Sequence, residues 1–166
     1  MTEIIPDNFD EFMKPAPESA EEKTEKQTLE DRFAGERFTW SAKLKEMSSK
    51  LRKALDVAEL MTEIYTERQR ALEYYHYLIS LLIKINKNYK KSYAERHEYY
   101  SYKAQQLLSN ERQKEARIQA DLGDLIEKRE ILDNHAKFMD GTVKTIDNLI
   151  FGMKTRIDIE QIARGK

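Results

Sequence analysis

Between Gly35 and Gly123 the chain contains neither glycine nor proline. In a helix interior those two residues cost ~1 and ~3 kcal/mol relative to alanine, so nothing in this stretch obliges the chain to leave a helix. Apolar or small residues recur within it at alternating spacings of four and three: Trp40, Leu44, Met47, Leu51, Ala54, Ala58, Met61 and Tyr65. The register breaks at Arg68 and resumes at Leu72, Tyr75, Ile79 and Leu82. This is a heptad seam, and Thr39 or Ser41 is the expected N-cap. From Tyr74 to Ile85 the apolar residues go all round the helix, which predicts burial against several helices or other subunits. The first helix is expected to end within Tyr102–Arg112, with Ser109 as a candidate cap for the next.

The C-terminal part carries a second heptad: Ile118, Leu122, Leu125, Arg129, Leu132, Ala136, Met139, Val143, Ile146, Ile150, Met153 and Ile157. Its period passes through Gly123, Gly141 and Gly152, so one long helix is expected, bent or straight, ending at Gly165. Two such helices joined by a turn make an all-α hairpin or coiled coil. Its thin core predicts self-association.

The net charge of −1 conceals an asymmetry. Up to Glu36, four cations stand against eleven acids, a net −7, which leaves +6 for the remainder. Residues 1–36 also hold all three prolines, Pro6, Pro15 and Pro17. They bury too little apolar surface to offset their ordering entropy, so they read as a disordered acidic arm before a helical domain spanning 37–166. Within the arm, Phe9 and Phe12 sit among Asp7, Asp10 and Glu11. Beside a plain solvated tail, the functional reading is that they dock on a basic, apolar pocket of a partner or mimic nucleic acid, and docking is the expectation.

No cysteine is present, which removes disulfides and thiolate metal sites and fits the cytoplasm. Residues 1–20 lack the basic start and apolar core of a signal peptide. The run Tyr74–Ile85 is too short to span a bilayer. There is no phosphate-cradling glycine loop and no HExxH pair, and His76, His97 and His135 are scattered. The carboxylates alternate with Lys and Arg as on a solvated face. The expectation is a non-enzymatic protein without cofactor or metal.

The segment Lys84–Lys103 carries the functional signal. It interleaves Lys84, Lys87, Lys90, Lys91, Arg96 and Lys103 with Tyr89, Tyr93, Tyr99, Tyr100 and Tyr102, and it has no acid from Lys84 to Ala94. Cations track a phosphate backbone and aromatic faces stack unpaired bases, which is what sequence-tolerant single-strand binding requires. Lys84, Lys87, Lys90, Lys91, Arg96 and Lys103 are the candidate phosphate contacts. Tyr93, Tyr99 and Tyr100 are expected to stack on bases or to brace the cations. A second cluster, Lys43, Lys45, Lys50, Arg52 and Lys53, has only Trp40 as an aromatic and reads as a solubility feature. The competing reading is a coiled-coil scaffold or virion part without nucleic-acid binding. It has no need of the acid-free stretch.

At Arg96-His97-Glu98-Tyr99-Tyr100-Ser101 the chain resembles the UvsY recombination mediators of T4-like phages. The closing helix is similar too, at Ile118-Gln119-Ala120-Asp121, Leu125-Ile126, Phe138-Met139-Asp140-Gly141, Val143, Ile146-Asp147, Lys154 and Gly165-Lys166. The resemblance covers roughly Ala42 to Lys166. It implies an all-α protein that assembles into rings and binds single-stranded DNA through the basic region before Tyr-Tyr-Ser. It also implies contacts with a recombinase and a single-strand-binding protein, which the mediator helps the recombinase replace on the strand during recombination and repair. The implied location is the host cytoplasm. Arg96 matches the motif's arginine, Ala94 stands where the family has lysine, and Tyr102 stands where the family has glycine.

Overall fold

The computed structural model describes residues 28–53, 57–104 and 110–165. Among them lie four α-helices and no strand: α1 (Leu29–Lys53), α2 (Val57–Glu98), α3 (Glu111–Asp121) and α4 (Gly123–Arg164). A π-helical turn, Tyr99–Lys103, continues α2. No helix among the described residues is long and apolar enough to cross a membrane.

Helix α1 starts where its cap permits. The Thr28 Oγ1 accepts from the Asp31 backbone N–H at 3.2 Å and donates to its carboxylate at 2.5 Å. That cap lies well before Thr39 and Ser41, the residues expected to serve. Thr39 sits mid-helix, and its hydroxyl donates to the Gly35 carbonyl at 3.0 Å. Residues 29–36, grouped with the acidic arm by composition, are therefore helical. Their apolar member Phe33 is buried, which offsets the ordering cost.

The long seam expected to run as one helix is divided between two. α1 ends at Lys53, α2 begins at Val57, and they pack antiparallel. Lys43 pairs with Glu67 at 2.7 Å, Lys50 pairs with Glu63 at 2.5 Å, and the Tyr74 hydroxyl donates to the Glu36 carboxylate. Each step toward the C-terminus of α1 meets a step toward the N-terminus of α2. The reversal shifts the buried register: Leu60, Ile64, Ala71, Tyr74, Leu78, Leu81 and Ile85 are buried, whereas Met61, Leu72, Tyr75, Ile79 and Leu82 are only partly covered and Tyr65 is exposed.

The chain divides into two compact units, residues up to His76 with Lys137–Lys166, and Tyr77–Ala136. In the first, Phe33, Trp40 and Met47 of α1 are buried with Leu60, Ile64, Ala71 and Tyr74 of α2 and Met139, Val143, Ile146, Ile150 and Met153 of α4. Each fully buried aliphatic side chain stabilises by ~1.5–3 kcal/mol. Arg68, which interrupts the sequence seam, grips Asp147 of α4 through Nε at 2.5 Å and an Nη at 3.3 Å. Its guanidinium is held further into the charged form by that carboxylate. Arg156 closes the unit by donating to the Leu51 carbonyl at 3.1 Å.

The second unit buries Leu78, Leu81 and Ile85 of α2 with Ile118 of α3 and Leu122, Leu132, His135 and Ala136. Asn110 caps α3, its side chain accepting from the Arg112 backbone N–H at 2.9 Å; the candidate cap Ser109 lies outside the described residues. The expected single C-terminal helix is interrupted at Leu122, whose φ of −101° and ψ of 8° separate α3 from α4. Gly141 and Gly152 are carried through α4 without a break.

Candidate nucleic-acid interface

Residues on a helix advance about 100° per position, so burial on one side defines the other. In the second unit α2 turns Leu78, Leu81 and Ile85 inward. Lys87 and Lys90 then point most directly outward, with Lys91 and Lys84 at the flank of the arc, and all four are exposed. Lys87 and Lys90 have no carboxylate partner among the described residues. Lys91 lies 3.9 Å from Glu95, with both side chains well exposed, a pairing worth little in water.

The aromatic residues occupy a different side. Tyr89 is partly buried, with the Gln119 amide at 3.4 Å from its hydroxyl and the Arg129 guanidinium 4.9 Å from its ring centroid. The Tyr93 hydroxyl donates to Glu115 at 2.6 Å, and the Tyr100 hydroxyl donates to Asp121 at 2.9 Å. These carboxylates push both phenols above the usual tyrosine range, so both remain donors at neutral pH. In turn the Tyr93 hydroxyl, then the Gln119 amide, hold the Glu115 carboxyl below its usual range. Tyr93 and Tyr100 thus brace α2 against α3, with Tyr93 also stacked on His97 at 6.3 Å. Arg96 joins this side through Asp121 at 3.5 Å.

The π turn reorders the end of α2. Its i→i+5 bond, Ala104 N–H to Tyr99 O at 2.9 Å, inserts an extra residue into the turn. Tyr102 consequently projects with 80% of its surface exposed, and Tyr99 with 42%. Tyr99 lies edge-on to Tyr100 at 5.2 Å. The Ser101 Oγ is buried and meets no hydrogen-bond partner among the described residues, whereas Thr39, Thr66 and Thr142 bond back to the carbonyl four residues earlier. Lys103 pairs with Glu98 at 2.7 Å and holds that carboxyl below its ordinary range. An open groove of about 390 Å³ runs along this end, lined by Ser92, Glu95, Arg96, Glu98, Tyr99, Lys103 and Leu122.

The structure thus places the lysines on the outer arc of α2 and gathers Arg96, Tyr99 and Lys103 at the π turn. It turns the hydroxyls of Tyr93 and Tyr100 to α3, away from the lysine arc, with Tyr100 sharing Asp121 with Arg96. Tyr102 is the residue that sequence reasoning passed over as a site member. Its place after Tyr-Tyr-Ser was the available signal. Phe9 and Phe12 lie outside the described residues.

Residues 41–166 match the family described as recombination, repair and ssDNA binding protein UvsY. The chain belongs to this family. The match includes the whole lysine arc, the π turn and α4. No curated protein and no solved structure matches the chain. UvsY membership makes this a protein of recombination, repair and single-stranded DNA binding, and the outer arc of α2 offers the charge that such binding needs.

Proposed function

We propose that this UvsY-family protein is a recombination mediator that holds single-stranded DNA on α2 and helps a recombinase replace the single-strand-binding protein there. One observation carries the assignment of the site. Lys84, Lys87, Lys90 and Lys91 form an exposed arc without an intervening acid, and Lys87 and Lys90 are unopposed by carboxylates among the described residues. These four lysines are assigned to phosphates. Arg96 and Lys103 add cations at the π turn, where the exposed faces of Tyr99 and Tyr102 are placed to stack bases. Tyr93 and Tyr100 act by fixing that turn against α3.

Self-association into a ring belongs to the same reading. Weak contacts repeated around a ring become tight, because each further site engages an already tethered strand. The recombinase and single-strand-binding protein are assigned as partners on family resemblance, and Phe9 with Phe12 as a docking element for a protein partner.

The test is salt-titrated anisotropy of labelled oligo(dT). Each phosphate contact on a single strand contributes ~0.7 to the slope of log affinity against log salt. Lys87→Ala, Lys90→Ala and Lys91→Ala together should flatten that slope by about 2 and weaken binding. An unchanged slope would remove these lysines from the interface. Stimulated exchange of recombinase for single-strand-binding protein on the same strand, lost in the triple variant, tests the mediator role.

A further inference from the structure

Helix α1 divides its cations in a way that composition conceals. Lys43 and Lys50 point toward α2 and are neutralised. Lys43 pairs with Glu67 at 2.7 Å and lies 4.8 Å from the Trp40 ring centroid, and Lys50 pairs with Glu63 at 2.5 Å and Glu46 at 3.0 Å. Arg37, Lys45 and Arg52 have no carboxylate partner among the described residues, and Lys45 and Arg52 are exposed. Between Arg37 and Lys53 the only acid is Glu46, and it is committed to Lys50.

The aromatic partner of this cluster is also different from the one the sequence suggests. Trp40 is 3% exposed, packed in the core and unable to stack on anything outside it. Phe38 is 78% exposed. Phe38, Lys45 and Arg52 follow one another at intervals of seven, two turns each, so they share one line along the helix opposite the buried Phe33, Trp40 and Met47. Ser48 and Ser49 put hydroxyls beside the two cations, and Lys45, Ser48, Ser49 and Arg52 line a shallow groove of about 450 Å³ with Leu44.

We infer that the outer face of α1 is a second single-stranded DNA contact, distinct from the lysine arc of α2. Arg37, Lys45 and Arg52 bind phosphates, the serine hydroxyls donate to phosphate oxygens, and Phe38 stacks one base. The occupant follows from charge complementarity: three unopposed cations and an exposed ring call for a polyanion with aromatic faces. A lone phenylalanine on a face of serines and cations lacks the apolar area that a lipid surface requires. Arg37 and Phe38 precede the residues 41–166 that match the family, whereas Lys45 and Arg52 lie within them. The inference rests on the single-strand-binding reading above.

The experiment uses the full-length protein and the same salt-titrated oligo(dT) assay, with helix content checked by circular dichroism. Arg37→Ala, Lys45→Ala and Arg52→Ala together should flatten the salt slope by about 2. Phe38→Ala should weaken binding about tenfold, one stacked base, while leaving the slope unchanged. Photocrosslinking to an oligonucleotide carrying 5-iododeoxyuridine should recover the peptide that contains Phe38. An unchanged slope and affinity in these variants, with binding still lost in the α2 lysine variant, would overturn the α1 contact and leave the first reading intact. Absence of salt-sensitive binding by the wild-type protein would overturn both.

Discussion

Tyr93 and Tyr102 show how one residue type serves two ends within ten positions. Tyr93 is partly covered and spends its hydroxyl on Glu115, whereas Tyr102 offers an open ring, 80% exposed. Tyr93→Phe should therefore lower the urea midpoint modestly, because the lost hydrogen bond to Glu115 is solvent-exposed, with a smaller effect on DNA affinity. Tyr102→Ala should leave the urea midpoint unchanged and weaken oligo(dT) binding by ~1–3 kcal/mol. Glu67 supplies the pH dependence. Burial pushes its carboxyl up, but hydrogen bonding to Lys43 and the charges of Lys43 and Arg70 outweigh this and hold it below its ordinary 4.5. A carboxyl depressed in the folded state contributes stability above its unfolded value and loses it as pH falls through the folded value. The difference in urea midpoint between wild type and Glu67→Gln should thus be full at pH 6 and shrink below pH 4.5. The alternation of Lys and Tyr was legible from sequence. Which rings were free was not, because that depends on Glu115 and Asp121 meeting α2 from another helix.

Among the elements, α4 was the most legible. Leu132, Ala136, Met139, Val143, Ile146, Ile150 and Met153 are buried in the register that their spacing predicts. Its glycines are helical without need: Gly141 has no positive φ, and a Cβ there meets nothing within 4 Å. Gly141→Ala should accordingly stabilise the protein by ~0.5–1 kcal/mol in urea denaturation at fixed protein concentration, and a loss of stability would mean that the position serves a contact elsewhere. The division between α1 and α2 was not legible. Ala54, Leu55 and Asp56 carry no breaker, and an unbroken heptad run reads as one helix whether or not the chain reverses. Arg68 was the available sign. A cation in a seam needs a partner, and the partner is Asp147 on α4.

For the molecule as a whole, the apolar surface left uncovered bears on the proposed self-association. Phe151, Ile159 and Ile162 are 72%, 61% and 65% exposed and recur at spacings of eight and three along one face of α4. Single exposed apolar residues are ordinary, but a repeated line of them on one helix is apolar surface that the proposed self-association would cover. Ile159→Glu with Ile162→Glu should lower the mass observed by sedimentation velocity and reduce affinity for long strands more than for short ones, through lost avidity. An unchanged mass would place the subunit interface on another face.

Sequence alone determined that this protein is helical, where its heptads lie and which segment concentrates cations with aromatics. Helical period and charge pattern are local properties, written in consecutive residues. Only the tertiary structure decided which cations are neutralised and which rings face outward. Lys43 and Lys50 differ from Lys45 and Arg52 in the carboxylates that α2 brings to them, and Trp40 differs from Phe38 in which side of α1 meets the core. A side chain's availability to a ligand is what remains after packing. Packing joins residues far apart in the chain, as Lys43 to Glu67 and Arg68 to Asp147.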